Sequence, residues 1–142
     1  DNLGVQVRLI AGDGFCLRSP VPVLSPTLYA EVQMQTATTL LIPDEHEERA
    51  VYVLEGEVQL DGEALEVNSL VVLPTGQEMT LYAESDCHLM VFGGAPLDGP
   101  RRINWNFVAS DPAVIEQARQ RWAAGDWPTV PGESERIELP VR

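Results

Sequence analysis

Between residues 5 and 92 the chain carries a run of short segments with a period of two, separated by loops. Val5, Val7 and Leu9 alternate with Gln6 and Arg8, and Leu28, Ala30, Val32 and Met34 alternate with Tyr29, Glu31 and Gln33. Successive side chains of a strand point to opposite faces, so this pattern predicts strands with one buried and one wet face. Residues 38–42 repeat it until Pro43 ends the run. The stretch from Arg49 to Gly62 then reads as a strand, a bend kinked at Gly56, a second strand and an Asp61-Gly62 hairpin turn. Residues 63–67 pair back across that turn. Further strands are expected over 70–73, 79–83 and 87–92, with Pro74-Thr75-Gly76 as a bend between the first two. Gly12-Asp13-Gly14 is expected to turn the chain from a first strand into Phe15-Cys16-Leu17. Pro20, Pro22 and Pro26 hold residues 19–27 extended at an edge or in a crossing loop. About ten short strands with turn signals every 8–12 residues or so predict a sandwich or a barrel.

The periodicity changes after residue 110. Residues 93–100 form a loop by composition, and residues 103–108 read as one more strand. Ser110 or Asp111 can then cap a helix over about residues 111–124. Pro112 is tolerated in its first turn, Val114, Ile115, Ala118 and Trp122 make one apolar stripe, and Gly125 sits at the C-terminal cap. The tail over 125–142 carries Pro128 and Pro131 and is expected to be extended. Trp105, Trp122, Trp127 and Val130 place more apolar area in this region than one short helix shelters. They are the candidate interface residues, with a weak two-fold dimer as the expected outcome.

With 142 residues, 44% of them hydrophobic, the chain is long enough for one domain with a real core. No run of about 18 apolar residues is present, which argues against a membrane helix. The formal charge of −13, with nine Arg and no Lys, repels phosphate backbones and excludes Schiff-base and P-loop chemistry. Cys16 and Cys87 lack a CxxC partner and read as buried, reduced thiols suited to a cytoplasm. Asp44-Glu45-His46-Glu47-Glu48 reads as a solvated loop. The chain does not begin with Met, which fits a piece of a longer polypeptide.

The pairing of residues 49–62 with residues 70–79 resembles the two motifs of the cupin superfamily, G-x5-H-x-H-x3–4-E-x6-G and G-x5-P-x-G-x2-H-x3-N. The resemblance implies an all-β cupin double-stranded β-helix, a jelly-roll barrel over about residues 5–109, with one C-terminal α-helix. Three His and one Glu of the motifs bind a metal in that superfamily. Here Gly56 closes the first motif and Pro74-Thr75-Gly76 is the bend of the second. The Glu slot then holds Arg49, the two His slots hold Pro43 and Glu45, or Ile42 and Asp44 under the longer spacing, and the last His slot holds Met79. A divalent ion needs at least three imidazole or carboxylate donors, so no metal site is expected. His46 is out of phase with the motif, and His88, beside Cys87, reads as a core-rim residue. An inward Arg49 has to be paired, and Glu45 or Asp44 is the expected partner.

The chain also resembles the pirin family within the cupins, specifically its C-terminal domain. Pro26-Thr27-Leu28-Tyr29, Val51-Tyr52-Val53-Leu54-Glu55-Gly56, Gly93-Gly94-Ala95-Pro96-Leu97 and Asn106-Phe107-Val108-Ala109-Ser110 occur in that family's order. Ile115-Glu116-Gln117-Ala118, Trp122, Gly125, Trp127-Pro128 and Val130-Pro131-Gly132-Glu133 extend the match. The resemblance implies that residues 1–142 are a single C-terminal cupin domain. In that family an N-terminal cupin holds a non-haem iron and supports quercetin 2,3-dioxygenase activity or redox-sensitive regulation. None of those ligands maps onto this chain. The resemblance therefore implies no catalytic residue and no cofactor here, iron only in an N-terminal domain, and that domain or self-association as the partner. A different class of function is a free-standing metal-free cupin that binds a small ligand or a protein partner.

Overall fold

The alternation becomes strands almost wherever it occurs. The computed structural model describes residues 4–140. Among them the strands are β1 (Val5–Gly14), β2 (Leu17–Arg18), β3 (Thr27–Met34), β4 (Thr39–Ile42), β5 (Glu48–Glu55), β6 (Val58–Leu60), β7 (Glu63–Leu65), β8 (Leu70–Val72), β9 (Met79–Ala83), β10 (Cys87–Gly94), β11 (Arg102–Asn104) and β12 (Phe107–Ala109). One helix, α1 (Pro112–Ala124), follows. The chain divides into two compact units, Asp1–Pro96 and Leu97–Arg142.

In the first unit two antiparallel sheets form, a six-stranded one in the order β2-β1-β3-β10-β5-β8 and a four-stranded one in the order β4-β9-β6-β7. They remain open sheets, an arrangement compatible with a jelly roll. Their inward faces supply one core: Ala30, Val32, Val51, Val53, Leu89 and Val91 from the larger sheet and Ile42, Val58 and Leu81 from the smaller are at most 1% exposed. Each such aliphatic side chain contributes about 1.5–3 kcal/mol by leaving water. A one-residue slip would turn this whole set outward, so the core and the register enforce each other.

The turns show why the sheets bend where they do. Asp61 and Gly62 both have positive φ (47° and 87°) and join β6 to β7, as a two-residue primed hairpin requires. Gly56 (φ 88°) leaves β5 where an added Cβ would strike the Asp86 carbonyl and the Cys87 backbone. The expected turn at Gly12-Asp13-Gly14 is displaced. β1 runs through all three residues, and the chain reverses at Phe15 and Cys16, whose φ values are 55° and 59°. Gly12 instead lets the Thr27 carbonyl of β3 approach, next to a register shift between Leu9 and Ala11. Cys16 is accordingly exposed in the hairpin turn and not buried, whereas Cys87 is buried.

In the second unit, residues 103–108 are not one strand. Trp105 adopts φ 54° and divides them into the β11–β12 hairpin. Helix α1 begins at Asp111, whose carboxylate accepts from the Ala113 amide (2.8 Å), and ends at Gly125 with φ 74°. Of the expected stripe Ile115 is buried and Ala118 and Trp122 are half-buried, but Val114 is 52% exposed and does not belong to it. No helix is long and apolar enough to cross a membrane among the described residues.

Candidate functional site

The two stretches that resemble the cupin motifs do meet, at the end of β4, the start of β5 and the bend between β8 and β9. Ile42 pairs with Met79 in register, and the Thr75 hydroxyl donates to the Glu47 carbonyl (3.0 Å), tying the bend to the acidic loop. Inside this junction is Arg49, 2% exposed, the largest fully buried side chain among the described residues. Its Nη1 donates to the Pro43 carbonyl (2.7 Å), and its Nη2 donates to the carbonyls of Pro74 (2.5 Å) and Gln77 (2.9 Å). The guanidinium thus holds both motif loops through main-chain oxygens. Its Nε has no partner among the described residues.

This differs from the ion pair expected with Glu45 or Asp44. Among the described residues the ion pairs do not include Arg49. Both acids are exposed, and the Glu45 carboxylate accepts from the Phe15 amide (3.1 Å) at the tip of the β1–β2 hairpin. A planar fork reaches three carbonyl dipoles in three directions, an arrangement a single carboxylate cannot replace. Of the four positions, then, Pro43 and Arg49 are in direct contact, Met79 is buried one register step from Pro43, and Glu45 faces solvent. His46 is buried, its Nε2 donating to the Asp13 carbonyl (2.8 Å).

The cupin motifs imply a metal at these positions, and the donors here do not fit one. The positions offer a prolyl ring, an exposed carboxylate, a guanidinium and a thioether, none of which is an inward imidazole or carboxylate. A guanidinium also repels a cation. At a separation of roughly 5 Å and an effective dielectric constant of about 20, a divalent ion beside a unit positive charge costs about 7 kcal/mol. Among the described residues no group of three or more His, Cys, Asp or Glu side chains converges anywhere else. His88 and Cys87 do not converge on a common site. They point to opposite faces of β10, Cys87 into the core and His88 outward, where its Nε2 meets Glu31 (2.9 Å), which also binds Arg8 (2.5 Å). Burial pushes the Cys87 thiol above its ordinary range.

The aromatic candidates pack on one another within the second unit. Trp105 meets Trp122 edge-on with centroids 5.2 Å apart, Phe107 stacks on Trp127 at 6.0 Å, and Trp122 meets Trp127 at 5.9 Å. Arg121 lies over the Trp127 ring, and the Trp122 indole donates to the Ile137 carbonyl (2.8 Å). Trp127 is 39% exposed and Val130 66%. A cavity of about 370 Å³ lies among Trp122, Trp127, Val130, Arg136 and Ile137. Sequence reasoning did not find Phe107 as a member of this cluster, or the Pro74 and Gln77 carbonyls as partners of Arg49. An aromatic four residues before the helix cap was a usable signal for the first; main-chain acceptors leave none for the second.

Comparison with known proteins completes the picture. The model of the pirin C-terminal cupin domain family matches residues 29–138. A pirin-like protein of Caulobacter vibrioides is 40% identical over 125 residues, which is 88% of this chain and 43% of that protein. Pirin-1 of Arabidopsis thaliana is 26% identical over 81% of this chain and 43% of its own length. A crystal structure of quercetin 2,3-dioxygenase from Acinetobacter baumannii superimposes with a TM-score of 0.88 at 26% identity, over 100% of this chain and 49% of that one. The chain spans less than half the length of each of these relatives. With the family model matching residues 29–138 and a relative 40% identical over most of its length, the chain belongs to the pirin C-terminal cupin domain family.

Proposed function

We propose that this chain is the metal-free half of a two-cupin protein, which covers an iron-bearing cupin domain and completes its pocket. The observation that carries this reading is Arg49. A guanidinium with three carbonyl partners takes the position of the acidic ligand and ties the two motif loops together, a structural use of the place where a metal would otherwise sit. The lengths of the relatives support it, since a second domain of similar size is accommodated in each. The assembled protein would carry the dioxygenase-type chemistry named for the Acinetobacter baumannii relative, or a redox-sensitive regulatory role. The two unpaired cysteines suit a reducing cytoplasm.

The test is elemental analysis and quercetin consumption, measured on this chain and on the product of its complete gene after incubation with iron(II). One iron per polypeptide and quercetin oxidation are expected for the complete product, and neither for the chain alone. Stoichiometric iron held by this chain, or a complete product without iron, would refute the reading.

A further inference from the structure

Each sheet of the first unit has a margin that no described strand covers. β4 ends the four-stranded sheet, and β1, beyond its pairing with β3, meets β2 only at Asp13 and Gly14. One hydrogen bond at the end of each strand decides which main-chain groups are left over. The Gln35 amide of the β3 side donates to the Gly4 carbonyl (2.7 Å), and in an antiparallel ladder successive residues turn their N–H and C=O groups alternately towards and away from the partner strand. The main-chain groups of Gln6 and Arg8 therefore serve β3, and those of Val5 and Val7 point away from it. The Ala83 amide donates to the Thr38 carbonyl (2.9 Å), so by the same alternation those of Leu40 and Ile42 serve β9 and those of Thr39 and Leu41 point away.

The two margins border a single slot. A cavity of about 460 Å³ is lined by Val5, Val7, Phe15, Leu17, Leu40 and Leu41, so strands with spare main-chain groups wall it on both sides. The slot narrows at each end. At one, a Cβ on Gly4 would come within 2.8 Å of the Thr38 methyl; at the other, the Phe15 amide donates to the Glu45 carboxylate (3.1 Å). Val5, Val7, Phe15 and Leu40 pack on the core, whereas Leu17 and Leu41 are 45% and 49% exposed. Free edges are ordinarily blunted by charge or proline. Glu63 does this on β7 and Arg18 on β2, but Val5-Gln6-Val7 and Thr39-Leu40-Leu41-Ile42 carry neither.

We infer that this slot binds an extended, uncharged apolar segment of a protein partner, taken up as an added strand between β1 and β4. Its amides and carbonyls pair with those of Val5, Val7, Thr39 and Leu41, and every second side chain enters among Val7, Phe15 and Leu40. A small apolar molecule would suit the lining, but a main chain also supplies donors and acceptors at the spacing of both edges. β4 is four residues long, so at about 3.3 Å per residue roughly 13 Å of the segment lies in the slot. Glu45 in the lining and a net charge of −13 disfavour an acidic segment.

Amide hydrogen exchange of the complete gene product, with and without millimolar acetyl-Thr-Val-Thr-Val-Thr-amide, tests this. Exchange at Val7 and Leu41 is expected to be fast in the protein alone and at least about ten-fold slower with the peptide, while Arg8, already bonded to β3, is unchanged. The same peptide with its valine amides methylated should have no effect. Leu41→Lys, which puts a charge on the edge, should abolish the slowing in a protein whose core amides still exchange slowly. No slowing by the peptide, or equal slowing by its methylated form, overturns the inference. Slow exchange at Val7 and Leu41 without peptide also overturns it, because the slot is then filled by the protein itself, or by a second copy where protection grows with concentration.

Discussion

Replacing Arg49 by Met separates the guanidinium from the stem that carries it. The stem volume is roughly kept, so no large cavity opens, but the Pro43, Pro74 and Gln77 carbonyls lose their donors. Hydrogen bonds to a charged donor are worth about 1.5–3 kcal/mol each, giving a gross loss of about 4.5–9 kcal/mol. Two effects oppose it. Removing the cation relieves a desolvation cost of several kcal/mol, and the partnerless Nε, worth about 1–3 kcal/mol, disappears with it. Pro74 and Gln77 are exposed residues, so water can reach some of the freed oxygens. The net expectation is a destabilisation of about 2–4 kcal/mol, which at about 2 kcal/mol per M of urea lowers the midpoint by about 1–2 M. Far-UV circular dichroism is the appropriate probe, because all three tryptophans lie in the second unit and report on it instead. Arg49→Lys should recover only part of the loss, since one ammonium cannot reproduce the planar fork. A change of less than about 0.5 kcal/mol, or a gain as seen when some buried ion groups are made apolar, would refute the claim that Arg49 holds the motif loops.

The remaining predictions concern particular turns and thiols. Gly56→Ala should destabilise by at least about 2 kcal/mol, whereas Gly62→Ala, at nearly the same φ but with open space around it, should lose only the left-handed strain of about 1–2 kcal/mol; equal losses in urea titrations would show that the contacts at Asp86 and Cys87 do not matter. Cys16 should react with a thiol reagent far faster than Cys87 in the folded chain, and comparable rates would contradict the burial of Cys87. Because the folded Cys87 thiol is raised above its unfolded value, its contribution is intact below the unfolded pKa and is lost as pH rises through the folded one. Stability should therefore fall on the alkaline side, above about pH 8.5, and Cys87→Ala should flatten that slope. Trp127→Ala should open the tail to proteolysis by removing the stack on Phe107 and the Arg121 contact; unchanged cleavage there would mean the cluster does not hold the tail.

What could be read from the sequence was what local chemistry determines. The helix was legible because Asp111, Pro112 and Gly125 each have one conformational use at a helix end, and the structure uses all three. The hairpin at Asp61-Gly62 was legible for the same reason. The hairpin at Phe15 and Cys16 was not, because two bulky residues at positive φ leave no compositional trace. The glycines that drew attention nearby serve a bulge and a close strand approach instead. The division of residues 103–108 was hidden by Trp105, whose bulk reads as strand while its backbone turns.

The site shows a different limit, since the motif spacing identified Arg49 as the occupant of an acid's position but said nothing of its partners. A carboxylate was the natural expectation from charge alone; the fold supplied carbonyls, whose positions depend on how two loops meet and not on residue type. The outer face of the larger sheet is the converse case. There the information was in the sequence, as runs at residues 50–54 and 89–92 with no polar position between apolar ones, and only the register turned those runs into two rows. A strand that is apolar on both sides while its register neighbours Leu70 and Val72 remain exposed is out of balance with its surroundings, because burial on one face stabilises the fold whereas exposure on the other gains nothing. Solubility alone would favour polar residues at those positions, so Tyr29, Leu70 and Val72 depart from the alternation by which the rest of the sheet could be read.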